Sequence, residues 1–338
     1  MPSYAPPSPL FSRRRALCII AGSTAATLAG ARARATTNTT PLVWEGTALG
    51  APARLVLVGE EERTAKATVR ACLDEVERLE REFSLYRPDS ALSRLNANGV
   101  LDRPSLDFFR LLRLSVAFGE RTGGAFDVTV QPLWQAYADH FTAHPDARAG
   151  PPPAAIAEAV SRVGYRRLSV NSERIVFAPG MAVTLNGIAQ GYITDRVADL
   201  LRARGYTNVL VEMGEMRALG PAPAERPWSI ALAAPPGAAA EPLSLPLRDG
   251  AVASSAGAAT AFDPAARFHH LFTPESGASA TTFAAVTVMA PRATLADALS
   301  TAVFVADPER ISAIMRTFPG TSAILTLPSG RRLRVPAA

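Results

Sequence analysis

Residues 184–213 read TLNGIAQGYITDRVADLLRARGYTNVLVEM and contain a helix and the strand that follows it. We predict the helix over 187–204, because its apolar residues recur without proline and Gly205 follows the last turn. Glycine readily takes the left-handed backbone conformation that ends many helices. Residues 208–213 are rich in β-branched and apolar side chains and are predicted as a strand.

Helices and strands mix along the rest of the chain without the regular alternation of a doubly wound sheet. The apolar spacing of 61–83 is typical of an amphipathic helix, whereas 84–99 carries turn residues and is predicted as a loop. Further helices are predicted over 106–120, 154–163, 294–305 and 308–317, and strands over 53–58, 168–170, 174–177, 228–232, 284–289 and, as the last one, 323–327. We therefore expect an α+β (mixed α/β) fold.

The composition is that of a globular protein whose apparent basic character is local. The 338 residues are 48% hydrophobic and 19% charged, which argues against disorder over the whole chain. The net charge of +5 comes from five arginines within residues 1–35, which contain no acidic residue. Removing these five from the 35 basic residues leaves 30, equal to the 30 acidic ones. A nucleic acid is therefore not expected as a partner.

The first 35 residues have the layout of an export signal. Ser12-Arg13-Arg14-Arg15 precedes a short run of small and apolar residues, 16–31, and an A-x-A type cleavage site ends at Ala35. The paired arginines resemble a twin-arginine signal, with an ordinary secretory signal as the alternative. We expect a periplasmic protein whose residues 36–338 form one domain, of which 36–41 are a polar linker at its start.

Several common chemistries find no support in the sequence. Neither a Walker A loop nor a dinucleotide-binding G-x-G-x-x-G after a strand is present. His140 and His144 have the spacing of one helix face, but Pro145 follows directly and no third ligand is near, so we expect surface histidines. Cys72 fits the apolar stripe of the first predicted helix and is expected to be buried rather than nucleophilic.

Polar and glycine-rich clusters are the candidate functional sites. Residues 83–96 offer an aromatic ring for stacking and arginines for phosphate, with a helix start capped by Asp89 or Ser90 as the alternative. Residues 123–129 form a glycine-rich approach to a carboxylate. The glycines at 187 and 191, one turn apart, favour either a bare helix start that accepts a ligand's phosphates or close helix packing.

A fourth cluster, residues 295–302, indicates a metal site. Asp297 and Thr301 are four residues apart in a predicted helix, so both side chains lie on one face. One carboxylate and one hydroxyl, completed by water, suit Mg²⁺, which prefers oxygen ligands and commonly bridges to substrate phosphates.

Together these clusters resemble one family, the ApbE-like FAD:protein FMN transferases. Its patterns are F-S-x-Y-x-x-x-S-x-[IL]-S-x-[LI]-N, G-x-F-D-x-T, D-L-G-G-I-A-K-G-Y, H-I-x-D-P-x-T-G and A-D-A-L-[ST]-T-A. Their counterparts are residues 83–96, 124–129, 184–192, 270–277 and 296–302. Order and spacing agree over roughly residues 44–330. The wording of residues 185–192 is most similar to the NosX branch, which is linked to maturation of nitrous oxide reductase systems.

The resemblance implies the fold of that family and a transfer reaction with FAD as substrate. FAD is split at its pyrophosphate, AMP leaves, and FMN is joined to a threonine or serine of a partner protein. That acceptor carries a flavinylation motif, and a NosR-like membrane protein is one candidate. The resemblance implies a Mg²⁺ site formed by the Gly187 backbone, Asp297 and Thr301, with Asp297 also catalytic. His270 is our candidate for proton transfer or for a contact with the transferring phosphate. Family matching assigns FAD contacts to Glu45, Tyr86, Ala125, Phe126, Asp127, Thr184, Gln190 and Leu271.

Some positions depart from the family pattern. Thr184 stands where the family has aspartate, Gln190 where it has lysine, and Thr273 where it has a second aspartate. Glu45 replaces a methionine, and residues 211–215 keep one glycine and an acid of the pattern V-N-x-G-G-D. A non-catalytic FAD-binding or flavin-delivery protein of the same fold is therefore the alternative function.

Overall fold

The computed structural model describes residues 41–59, 62–234 and 241–337. The predicted export signal, 1–35, and most of the predicted linker lie outside the described residues. Among the helices of the described part, none is both long and apolar enough to cross a membrane. The expected mixture of helices and strands is confirmed.

The described residues form eight helices and thirteen strands. The helices are α1 (Glu62–Phe83), α2 (Ala91–Asn98), α3 (Leu106–Arg121), α4 (Gln131–Ala143), α5 (Pro153–Ser161), α6 (Ala189–Ala203), α7 (Ala293–Val305) and α8 (Pro308–Arg316). The strands are β1 (Leu42–Ala48), β2 (Ala51–Leu57), β3 (Val100–Asp102), β4 (Ser169–Val170), β5 (Arg174–Val176), β6 (Val209–Met213), β7 (Glu215–Leu219), β8 (Trp228–Leu232), β9 (Leu243–Leu247), β10 (Gly250–Ala256), β11 (Ala285–Ala290), β12 (Ser322–Thr326) and β13 (Arg332–Val335).

An eight-stranded sheet is the centre of the fold. Its order is β1-β2-β6-β7-β10-β11-β12-β13, and every neighbouring pair is antiparallel. The hairpin β8–β9 and the three-stranded sheet β3-β5-β4 lie outside it. Alternate residues of the central strands are buried on opposite faces, as the two-residue period of a strand requires.

Each face of the sheet has its own hydrophobic partner. On one face Leu55, Val211 and other residues pack in the large cluster that also holds apolar residues of α1, α6 and α7. On the other face Val56 and Leu210 pack with the hairpin β8–β9, including Trp228. A third cluster joins α4 and α5 to aromatic residues of the 262–272 segment.

Helix α1 has the amphipathic character that its sequence predicts. Its buried residues recur every three or four positions and include Val69, Val76 and Leu79. Cys72 lies in this stripe with no exposed surface, and burial raises the pKa of its thiol to about 12. The prediction of a buried cysteine is confirmed.

Helices α6 and α7 approach each other closely at Gly191. A Cβ atom at this position would overlap the backbone carbonyl of Ala293 and lie 2.8 Å from the Cβ of Asp297. Gly191 therefore serves close helix packing, one of the two predicted uses of this glycine. The observed helix starts at Ala189, two residues later than predicted, so Gly187 lies in the turn before it.

The start of α7 is held by a carboxylate from α6. Asp195 is buried and accepts hydrogen bonds from the backbone amides of Ala293 and Thr294 and from the Thr294 hydroxyl, at 2.7–3.0 Å. These donors are among the backbone groups that a helix start leaves without partners inside the helix. Arg217 and Arg292 lie 3.6 and 3.2 Å from the same carboxylate. The contact fixes the position of α7 along α6.

The prediction that 84–99 is a loop is wrong for its second half. Residues 91–98 form α2, and Ser90 is its N-cap, whose hydroxyl accepts from the Ser93 amide at 2.9 Å. The predicted alternative of a capped helix start is therefore confirmed, with Ser90 as the cap. The turn residues masked a helix of only eight residues.

Other elements were not predicted because their sequences carry a weak pattern. Strand β1 is mostly exposed, and β10 reads GAVASSA, in which small residues give little alternation. Strand β13 follows β12, so the prediction that 323–327 is the last strand is wrong. Among the described residues, both β1 and β13 lie at edges of the eight-stranded sheet, where a strand pairs on one side only and less apolar sequence is needed.

The packing at Gly191 yields a stability prediction. Alanine normally stabilises a helix by about 1 kcal/mol relative to glycine. Because the added methyl group would overlap the Ala293 carbonyl, Gly191→Ala should instead lower the free energy of unfolding by about 1–3 kcal/mol. Urea denaturation in EDTA-containing buffer measures this change, and a more stable variant would contradict the close approach.

Candidate functional site

A cavity of about 380 Å³ lies between the end of α1, the start of α6 and one side of α7. Its wall combines residues 83–87, the 125–130 segment, the turn before α6, the end of β10, the 270–274 segment and one side of α7. These segments are distant in sequence, so the site exists only in the folded chain. Its volume lies within the roughly 300–1,000 Å³ that is usual for small-molecule sites.

Most of the predicted site residues meet at this cavity. Those that line it are Tyr86, Ala125, Phe126, Asp127, Thr184, Gly187, Gln190, His270, Leu271, Asp297 and Thr301. Glu45 is not among the lining residues: it lies on β1, largely exposed, 3.5 Å from the side chain of Arg54. Its assignment as an FAD contact gains no support from the cavity.

The predicted metal residues lie close together: Asp297 and Thr301 are on α7, and Gly187 is in the turn before α6. Asp297 is buried, and one of its oxygens accepts the Gly191 amide at 2.9 Å. A Cβ at Gly187 would lie 2.9 Å from the Thr301 hydroxyl oxygen, so the Gly187 backbone is close to that side chain. The Thr301 hydroxyl is also 3.3 Å from that of Ser255.

These groups have the chemistry of a hard-cation site. A carboxylate, a hydroxyl and a backbone carbonyl are all oxygen ligands, as Mg²⁺ prefers. Burial raises the pKa of Asp297 to about 7, and the nearby Asp195 charge adds to this rise. In the described residues no group of three or more His, Cys, Asp or Glu side chains is arranged to hold a metal. Backbone, hydroxyl and ligand oxygens would therefore have to complete the coordination.

The charges around the cavity are mostly negative. Four carboxylates line it, Glu80, Asp127, Glu215 and Asp297, whereas Arg87 is the one arginine or lysine among the described lining residues. Arg87 is itself 3.5 Å from Asp89. In their ionised form these carboxylates would repel an anionic ligand unless a cation accompanied it.

Asp127 acts first on its own loop. Its two oxygens accept from the amide and hydroxyl of Thr129 and from the amide of Tyr165, at 2.6–3.0 Å. Burial raises the pKa of Asp127, although these hydrogen bonds oppose the rise. The preceding Gly123 and Gly124 have positive φ values of 60° and 87°, which place the carboxylate at the cavity wall.

Thr184 and Gln190 connect the cavity wall near α6 to two other segments of the chain. The Thr184 amide donates to the carbonyl of Val128 at 2.8 Å and so ties the turn before α6 to the Asp127 loop. The Gln190 side-chain amide lies against the backbone of Gly214, where a Cβ would be 2.7 Å from its nitrogen. A neutral amide thus occupies the space beside Gly214.

Glu215 is a site residue that the sequence prediction missed. It is the first residue of β7, lines the cavity and is only 2% exposed. Its Oε2 has no hydrogen-bond partner within the described residues. Burial and the neighbouring Asp297 charge raise the pKa of Glu215 well above its ordinary value. The acid retained in 211–215 was the signal available in the sequence. The sequence did not show that this acid lies at the same cavity as Asp297.

His270 is positioned as a neutral imidazole. Its Nδ1 is 3.0 Å from the carbonyl of Thr260, which can only accept, so Nδ1 carries the hydrogen and Nε2 is left as an acceptor. Burial lowers the pKa of His270 to about 4. His140 and His144 lie away from the cavity and bond to backbone carbonyls, which confirms the prediction of surface histidines.

Comparison with known proteins identifies a family. The ApbE family model matches residues 49–325. The FAD:protein FMN transferase of Treponema pallidum is 33% identical over 294 residues, which cover 78% of this chain and 79% of that protein. The enzyme of the same name from Haemophilus influenzae is 33% identical over 237 residues, 66% and 68% of the two chains.

Solved structures agree with the observed fold. The ApbE protein of Thermotoga maritima superposes with a TM-score of 0.75 at 29% identity and covers 87% of this chain and 96% of its own. The apo form of the flavinyl transferase ApbE from Pseudomonas stutzeri gives 0.72 at 28% identity, covering 87% and 94%. The α+β architecture of this chain is therefore that of these proteins.

The buried imidazole of His270 yields a pH prediction. Its pKa is about 4 in the folded chain and near 6.5 when exposed, so between these values the unfolded chain binds a proton that the folded chain does not. The free energy of unfolding should fall as pH is lowered from 6.5 towards 4. Urea denaturation at pH 7.5 and 5 should show a smaller fall for His270→Asn, whose amide can still donate to Thr260. An equal fall in both proteins would contradict this prediction.

Proposed function

This chain belongs to the ApbE family, and we propose that it is an FAD:protein FMN transferase with a magnesium-dependent mechanism. The observation that carries the proposal is the convergence of distant segments on one cavity. That cavity brings seven of the eight residues assigned to FAD, all but Glu45, together with the oxygen ligands of Asp297, Thr301 and Gly187. The 33% sequence identity to the FAD:protein FMN transferase of Treponema pallidum, over most of both chains, supports this activity.

The reaction joins FMN to a hydroxyl of an acceptor protein. The oxygen of a threonine or serine forms a bond to the phosphorus on the FMN side of the pyrophosphate. The bond from that phosphorus to the bridging oxygen breaks, and AMP leaves with the oxygen. The hydroxyl proton must move to a base. Mg²⁺, when bound, supplies positive charge that the leaving phosphate and the transferred phosphate need.

The side chains of this protein contribute position and proton transfer. Tyr86 and Phe126 offer aromatic surface to a flavin. Asp127 holds its own loop in place through the Thr129 amide. Neutral His270, with Nε2 as an acceptor, can take the hydroxyl proton or bond to the transferring phosphate. Asp297 is already oriented by the Gly191 amide before any cation binds, so little reorganisation is required.

We also propose the place of action and the acceptor class. The twin-arginine pattern within residues 1–35 supports export to the periplasm. The resemblance of residues 185–192 to the NosX branch supports an acceptor that serves a nitrous oxide reductase-like electron-transfer system, such as a NosR-like membrane protein. The acceptor would be recognised through its own flavinylation motif.

Transfer is tested directly by the mass of the acceptor. Purified protein is mixed with FAD, Mg²⁺ and an acceptor domain that carries a flavinylation motif. We expect the acceptor to gain the mass of one FMN unit and free AMP to appear in equal amount. If FAD binds but no acceptor gains mass under any metal condition, the chain is a flavin-binding or flavin-delivery protein instead.

Asp297→Asn should lower the transfer rate by roughly 100-fold or more, because a neutral amide cannot replace the carboxylate charge at the cation. The variant keeps an oxygen that can accept the Gly191 amide, so its thermal midpoint in EDTA should change little. Asp139→Asn, in α4 and outside the cavity lining, is the matched control and should transfer at the wild-type rate. A wild-type rate for Asp297→Asn would refute the metal assignment.

A further inference from the structure

Glu215 is a buried carboxylate for which the protein provides incomplete compensation. Only 2% of its surface is exposed, and it lies at the cavity wall at the first position of β7. The backbone of Ser254 donates one hydrogen bond to it, but Oε2 has no partner within the described residues. A buried polar oxygen without a partner costs free energy, and the cost is greatest when the carboxyl group is ionised.

The surroundings of Glu215 make a protein cation an unsuitable partner. The side chain that lies against the preceding Gly214 is Gln190, a neutral amide. Asp297, a carboxylate of the same sign, lines the same cavity as Glu215 and contributes to the raised pKa of Glu215. Two carboxylates held together in a buried site are a common arrangement for binding a divalent cation.

We propose that Glu215 is a further ligand of the divalent cation held by Asp297, so that the cation site contains two carboxylates. This inference rests on the metal site of the proposed function and adds a residue to it. With Thr301 and the Gly187 backbone, the chain would offer four oxygen ligands to Mg²⁺. Six-coordinate Mg²⁺ would then keep two positions for phosphate oxygens or water.

A second carboxylate has a consequence for the bound ligand. Two carboxylates would neutralise the charge of a bound dication, so the metal-loaded site would carry no surplus positive charge before FAD binds. The cation could still bind the anionic pyrophosphate at its open coordination positions. The cavity has only Arg87 as a lining arginine or lysine within the described residues. Metal binding would therefore come before tight binding of the anionic substrate.

The test measures metal affinity rather than transfer. Isothermal titration of the metal-free protein with Mg²⁺, and with Mn²⁺ as a second probe, gives the dissociation constant of wild type and variants. Glu215→Gln keeps the size of the side chain but removes its charge, and we expect its affinity to fall by roughly tenfold or more. Glu215→Asp keeps the charge and should bind more tightly than Glu215→Gln.

Thermal unfolding separates metal binding from folding. In EDTA, Glu215→Gln should be as stable as wild type or more stable, because it replaces a carboxyl group whose charged form burial disfavours with a neutral amide. Added Mg²⁺ should then raise the midpoint of the variant less than that of wild type. Glu212→Gln is the matched control: Glu212 is a half-buried glutamate on the neighbouring strand β6, paired in register with Arg54 and absent from the cavity lining.

Each outcome decides between distinct possibilities. If Asp297→Asn loses Mg²⁺ affinity and Glu215→Gln does not, Glu215 is a protonated wall residue and the inference is refuted, while the proposed metal site stands. If wild type itself binds neither Mg²⁺ nor Mn²⁺, both the metal site and the inference fail. If Glu215→Gln and Glu212→Gln weaken affinity equally, the effect is general electrostatics and Glu215 is not a ligand.

Discussion

The site depends on the contact between α6 and α7. Gly191 lets the two helices approach until backbone meets backbone, and Asp195 binds the first amides of α7. Together these contacts fix both the separation of the helices and their relative position along the axis. Gly187 before α6 and Thr301 in α7 then come close together, and Asp297 receives the Gly191 amide. A shift of one helical turn would remove all three relations.

The sheet makes this contact possible by supplying a rigid surface. Strands β6, β7, β10 and β11 bury apolar residues against α6 and α7 on one face and against the β8–β9 hairpin on the other. A sheet that is packed on both sides cannot easily bend, so the ends of β7 and β10 stay at the cavity. Glu215 and Ser255 are thereby held next to α7 by strands β7 and β10, which are distant from α7 in sequence.

Buried carboxylates are the energetic cost of this arrangement. Asp127, Glu215 and Asp297 all have raised pKa values because burial disfavours their charged forms. Asp127 recovers part of this cost through three hydrogen bonds within the protein. Asp297 and Glu215 receive fewer, so a bound cation would stabilise them most. Function and stability therefore oppose each other at the same atoms.

The sequence by itself determined the helices with a clear period and the motifs that resemble the family. The helices over 62–83, 106–121, 189–203, 293–305 and 308–316 were predicted to within two residues at each end. Eleven of the site residues that the family resemblance implies line one cavity. Edge strands such as β1 and β13 were missed, since an exposed strand carries little apolar alternation.

Only the tertiary structure decided which groups act on one another. Glu45 has a suitable motif position but lies outside the cavity, paired with Arg54. Glu215 was one acid among thirty until the sheet placed it beside Asp297 and left Oε2 without a partner. The neutral state of His270 likewise depends on burial and on a carbonyl ten residues away. Charge, protonation and metal affinity arise from neighbours in space, and the order of residues along the chain does not contain those distances.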